Sequence, residues 1–190
     1  MQSLAGDVAS RLHKPGATPR IPERARPSVE DRELPNSFAA PTRLDFSFWW
    51  PVTVRWGDMD AMGHVNNIVY FQYLESARVG YFEGVGWNSR DTSPTRQGPV
   101  VVSQTFNYRR QLHYPADVEV GVACTEARGR SVVLSYGVFR KGSDELIGDG
   151  TSVLVWLDYA AGHAIEIPPK VRAHLMQGKD GNGHQRKEEG

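Results

Sequence analysis

A single cysteine, Cys124, stands among the 190 residues, which excludes an intrachain disulfide or a cysteine metal cluster and fits a reducing compartment. It ends the alternating run "VEVGVAC", where a small core side chain is its simplest role. An excess of either charge is also lacking. Lys and Arg together number 22, as do Asp and Glu, so nothing draws the chain broadly to nucleic acid or anionic lipid. An anionic ligand would need a local basic patch. No apolar run approaches the roughly 18–20 residues of a membrane helix, and the N-terminus lacks the apolar segment of a secretory signal. A soluble, cytoplasmic protein without internal repeats is expected.

Large apolar residues are scarce over residues 1–42, which hold six of the twelve prolines. Such a stretch cannot bury enough surface to offset its ordering entropy, and a disordered leader is expected. Arg11, His13, Lys14 and Arg20 against the lone acid Asp7 in the first twenty residues leave a mitochondrial address as the alternative to a plain tail. Residues 178–190, "GKDGNGHQRKEEG", read as a second disordered tail. Residues 43–177 between them are one domain of ordinary size.

Within that domain the periodicity changes twice. "FWWPVTVRW" ends in Val52, Val54 and Trp56 alternating with Thr53 and Arg55, which predicts a half-buried strand. "NIVYFQYLESARVGYFEGVGW" is helical, with Gln72, Glu75, Ser76 and Glu83 on one narrow polar stripe, and its apolar circumference predicts a helix enclosed on most sides. Four strand-like runs follow, "PVVVSQTFNYRRQL", "DVEVGVACTEA", "SVVLSYGVFR" and "ELIGDGTSVLVWLD". The short joints "ARGR" and "KGSD" predict an antiparallel meander. "PPKVRAHLM" predicts a short closing helix with proline in its first turn. The fold class is α+β, a long central helix wrapped by a curved antiparallel sheet of about five strands.

Between the first strand and the long helix lies "WGDMDAMGHVNN", residues 56–67, where small and polar residues displace the apolar pattern. Gly57, Asp58, Asp60, Gly63, His64, Asn66, Asn67, Tyr70 and the following "Y-L-E" resemble the motif of the 4-hydroxybenzoyl-CoA thioesterase family of hotdog-fold acyl-CoA thioesterases, over about residues 46–160. The resemblance implies a hotdog fold and hydrolysis of an acyl-CoA thioester to free acid and CoA. It places Asp60 at the family's catalytic carboxylate and the backbone N–H of Asn67 at the group that polarises the thioester carbonyl. It also implies a homodimer or homotetramer with the pocket between subunits, and no cofactor beyond the coenzyme A of the substrate.

The residues fit that chemistry in their own right. A thioester needs a carboxylate that attacks the carbonyl carbon or deprotonates water, and donors aimed at the developing oxyanion. A thiol with a pKa near ~8.5 leaves readily, so no strong general acid is required. The unpaired first amides of a helix, with its dipole, supply the donors. Each residue has a plainer role as well. Asp58 and Asp60 both suit turn-shaping bonds to nearby amides, Asn66 suits an N-cap, and His64 suits either substrate orientation or a bond to a neighbouring carbonyl. Glu75 is the rival carboxylate, but its spacing to Arg78 favours an ion pair on the polar stripe.

Further substrate contacts are expected from His64, Asn66 and Tyr70. For the phosphates of coenzyme A the candidates are Arg109, Arg110, Arg128 and Arg130, with His113 and Lys141 weaker. Trp49, Trp50 and Trp87 suit either an acyl channel or core packing. No second histidine at ligand spacing accompanies His64, and no metal is expected. Two other functions remain open: a hotdog dehydratase or hydratase on acyl thioesters, and a non-catalytic acyl-thioester binding protein.

Overall fold

The computed structural model describes residues 40–180; the leader expected over 1–42 and the tail expected over 178–190 lie almost wholly outside them. Where the expectations overlap the described chain, Thr42 caps a 3-10 turn at Arg43–Asp45, and the closing helix runs on to Asp180. The elements are β1 (Phe48–Thr53), α1 (Asn67–Gly84), β2 (Gln97–Tyr108), β3 (Asp117–Arg128), β4 (Ser131–Arg140), β5 (Leu146–Asp158), β6 (His163–Ala164) and α2 (Pro169–Asp180). All pairings are antiparallel, in the order β1-β3-β4-β5-β2, and the short β6 adds to β5.

The alternation in the sequence becomes the inner face of the sheet. Val118, Val120, Val122 and Cys124 on β3, and Val132, Leu134, Tyr136 and Val138 on β4, are buried. On α1, Val69, Tyr70, Tyr73, Leu74, Ala77, Tyr81 and Phe82 recur at three- and four-residue steps and are buried against that face. Each large side chain so covered contributes about 1.5–3 kcal/mol before entropy is counted. The helix touches both edges of the sheet. At one edge, Gly80 lets Trp50 of β1 so close that a Cβ there would stand 2.6 Å from a ring carbon. At the other, Phe106 of β2 packs on Tyr70. A sheet whose two outer strands meet the same helix must curl round it, as the hotdog resemblance implies.

Three local expectations are corrected. β2 does not continue the meander, because its eight-residue connection to β3 carries it to the free edge of β5; of the joints among β2 to β5, those at Arg128–Ser131 and Arg140–Leu146 are hairpins. Trp56 does not extend the buried alternation of β1. The strand ends at Thr53, a 3-10 turn takes over at Trp56–Asp58, and Trp56 is 78% exposed. The helix is not enclosed on most sides, since Ile68, Gln72, Glu75, Ser76 and Glu83 are exposed and Phe71 and Val79 only half-buried. Its polar stripe is wider than the sequence suggests because the sheet covers one side alone.

Candidate active site

The segment between β1 and α1 is fixed at both ends by main-chain bonds. Val54 N–H donates to Ala116 at 2.9 Å, and Val65 N–H to Leu112 at 2.8 Å, which ties the segment to the β2–β3 connection. Asp58 pins its middle. The Asp58 carboxylate, 3% exposed, accepts the Tyr73 hydroxyl at 2.6 Å, the Arg55 amide at 2.8 Å and the Arg55 guanidinium at 2.9 Å. Its carbonyl accepts Asn66 N–H at 2.9 Å. Burial alone would raise the Asp58 carboxyl, but the Tyr73 hydroxyl and the two Arg55 groups outweigh it and hold it below the ordinary carboxylate range. Burial and the bond to Asp58 push the Tyr73 hydroxyl up, so it remains a donor.

Asp60 opens a tight turn that returns at Gly63, whose N–H donates to the Asp60 carbonyl at 3.1 Å. Gly63 has φ +80°, a conformation that a side chain would strain. Within the turn Asp60 Oδ1 accepts Met62 N–H at 2.8 Å and His64 N–H at 3.3 Å. Asp60 Oδ2 makes no hydrogen bond among the described residues. One oxygen of the carboxylate is thus fixed by the turn while the other remains available.

Asn66 caps α1, its side-chain oxygen accepting Ile68 N–H at 3.1 Å. Asn67 is the first helical residue; its carbonyl accepts the Tyr108 hydroxyl at 3.0 Å, and its N–H has no acceptor among the described residues. That amide carries the positive end of an 18-residue helix. Tyr70, one turn on, meets Tyr108 edge to face at 5.3 Å. Burial, with Tyr108 beside it, pushes the Tyr70 hydroxyl up to about 12.

A cleft of about 290 Å³ brings Asp60, His64, Asn67, Tyr70, Arg109 and Arg110 together. Asp60 also borders a second hollow of about 500 Å³ beside Trp56 and Tyr114. Arg109 is paired with Asp149, while Arg110 is mostly exposed and 3.9 Å from Glu145. His64 packs edge to face on His113 at 4.9 Å, and His113 Nδ1–H donates to the Gly63 carbonyl at 2.8 Å. Among the described residues no three or more His, Cys, Asp or Glu side chains are grouped to hold a metal ion.

Arg128 and Arg130 are not brought to this cleft within one chain. They sit at the β3–β4 joint, beside Glu126 and Glu166. The cleft lies at the other end of these strands, about 30 Å away along the ten residues of β4. Glu75 does not pair with Arg78, because Arg78 turns inward, buried, toward Gln104 of β2. Trp50 packs on Gly80 and Trp49 on Phe46 and Phe139, both as packing residues. Tyr108 and Gln111 line the cleft as well. Sequence reasoning missed both, because Tyr108 reaches it through the pairing of β2 with β5, and Gln111 through the connection that Leu112 ties to Val65, which no local pattern announces.

Comparison with known proteins agrees with this architecture. Residues 54–175 match the family model of the thioesterase-like superfamily. The uncharacterized protein YsmA of Bacillus subtilis is 30% identical over 70% of this chain and 88% of its own. The long-chain acyl-CoA thioesterase FadM of Escherichia coli is 25% identical over 66% of this chain and 95% of its own. Among solved structures, the PA2801 protein of Pseudomonas aeruginosa superposes with a TM-score of 0.62 at 35% identity, covering 67% of this chain and 97% of that one. No helix among the described residues is long and apolar enough to cross a membrane. With well over half of the chain inside the family match, this protein belongs to the thioesterase-like superfamily and is a thioester hydrolase on a hotdog fold.

Proposed function

We propose that the chain hydrolyses acyl-CoA, with Asp60 as the catalytic carboxylate and the Asn67 amide as oxyanion donor. The observation that carries this reading is the shared cleft: Asp60, with one carboxylate oxygen unbonded, and Asn67, whose N–H has no acceptor among the described residues, line the same hollow. A thioester seated there with its carbonyl oxygen toward Asn67 N–H presents its carbon to Asp60. The carboxylate either attacks that carbon or takes a proton from a water that does. By either route the C–S bond breaks and its electron pair leaves as the CoA thiolate; after direct attack the acyl group is held on Asp60 as an anhydride, which water then cleaves to give the free acid and restore the carboxylate. The helix dipole and the fixed amide stabilise the charge that builds on the carbonyl oxygen.

Arg110, and Arg109 less freely because of Asp149, would meet the phosphates of coenzyme A at the cleft mouth. A homodimer is part of the reading. β2 is the outer strand of the sheet, and Val102 on it is 59% exposed, a surface that a second copy would cover.

His64 beside Asp60 in the cleft also suits a hydratase, which pairs a histidine with an acid. Free-thiol release from a saturated acyl-CoA, which offers no double bond to hydrate, separates the two. Steady turnover with release of CoA is expected; a purified full chain that frees no thiol from any acyl-CoA of a length and aromaticity panel would overturn the reading.

A further inference from the structure

A further hollow, a groove of about 520 Å³, lies between α1 and β2. The cleft and this groove adjoin at one ring: Tyr70 lines the former, Phe71 the latter, and Phe106 packs on both at 5.1 and 6.4 Å. Phe71, Val79 and Trp87 on one side and Val100 and Val101 on the other make the groove mainly apolar, with Gln72 and Glu75 exposed at its rim.

Its floor is different. Arg78 is 9% exposed and forms no ion pair among the described residues. Its guanidinium donates to Gln104 Oε1 at 3.4 Å, a neutral acceptor. With Oε1 taken up by Arg78, the other end of the same amide, Gln104 Nε2, is buried without an acceptor. The reverse orientation would set donor against donor. A cation with no anion beside it and an amide N–H with no acceptor therefore belong to two residues that line one groove. Buried polar groups are rarely left so, and a buried charge is costly without an opposite one. A carboxylate accepts from a guanidinium and an amide together.

We propose that this groove takes the far end of the acyl chain and that Arg78 and Gln104 recognise a carboxylate there, which makes the substrate class the monothioesters of dicarboxylic acids. This rests on the thioesterase reading. Asn67 and Arg78 are eleven residues apart on α1, about 16 Å of helix rise. Helical side chains lean toward the N-terminus, which shortens the span. At about 1.2 Å per bond, an extended chain of roughly eight to twelve carbons reaches from the thioester to the guanidinium.

The test is kcat/KM of the full chain for two ten-carbon acyl-CoA substrates, one ending in a methyl group and one in a carboxylate. The carboxylate-ended substrate is expected to be preferred at least tenfold. Gln104→Leu should cut that preference several-fold, and Arg78→Met should abolish it. Because Arg78 is buried, Gln104→Leu keeps the test decisive if Arg78→Met fails to fold. Equal turnover of both substrates, preference for the methyl-ended one, or a preference that survives substitution overturns the proposal and leaves the thioesterase reading standing. Release of thiol from neither these nor any other acyl-CoA overturns both. If Arg78→Met weakens self-association and leaves substrate preference alone, a carboxylate of a second copy fills the groove and the proposal fails.

Discussion

Asp58 and Asp60 stand two residues apart, carry the same carboxyl and end in opposite surroundings. Asp58 is 3% exposed, and its oxygens are taken up by Tyr73 and Arg55. Asp60 is half-buried and lines the cleft, with one oxygen held by the turn and the other without a hydrogen bond among the described residues. The first carboxylate holds the loop against α1; the second is presented to the cleft by the loop so held. What separates them is the strand alternation giving way to a 3-10 turn at Trp56, which points Asp58 inward at Tyr73 and sends the chain on to Asp60 at the surface. On the proposed reading, a pair of acids in one motif is divided between stability and chemistry, and substitution can test the division.

Asp58→Asn should have the largest effect on folding. It removes the charge that three donors surround and places an amide N–H among them, and a loss of about 3 kcal/mol is expected in denaturant unfolding. Tyr73→Phe keeps the ring and deletes one donor; a loss of about 1.5–3 kcal/mol is expected by the same measurement. Acid should draw on this pin as well. Because the folded Asp58 carboxyl lies below its ordinary value of 3.8, its contribution is complete above that pH and drains away as the pH falls below it. Thermal melts from pH 6 to pH 2 should therefore show an acid-dependent loss in the parent chain that is smaller in Asp58→Asn. Asn66→Ala should cost about 1 kcal/mol through the lost N-cap, with a modest fall in turnover as the first turn of α1 frays. If Asn66→Ala exceeded Asp58→Asn in either readout, the helix cap rather than the buried carboxylate would be the principal pin.

Much of the fold was legible in the sequence because it is written locally. The two-residue alternation of Val118 to Cys124 and Val132 to Val138 marks strands facing one core, and Gly129 and Gly142, both at positive φ, mark the hairpins that join them. The helix was legible from its three- and four-residue spacing. The place of β2 was not, since an edge strand's partner is chosen by packing across the whole sheet rather than by its own residues. In the site, the turn around Asp60 and the cap at Asn66 could be anticipated because both are bonds between near neighbours. The inward turn of Arg78 could not. Its spacing from Glu75 suits an ion pair, and only the arrival of Gln104 from β2 gives the guanidinium another place to go. Arg109, Arg110, Arg128 and Arg130 share a charge and a place at strand ends or in a turn, and neither tells which end of the sheet each one occupies.

The most direct measurement is turnover of Asp60→Asn toward an acyl-CoA that the parent chain hydrolyses, taken with its unfolding free energy. A fall in kcat of about 100- to 10,000-fold, with stability within about 0.5 kcal/mol of the parent, is the predicted result. Turnover at the parent rate in a fully folded Asp60→Asn would contradict the assignment of chemistry to that carboxylate.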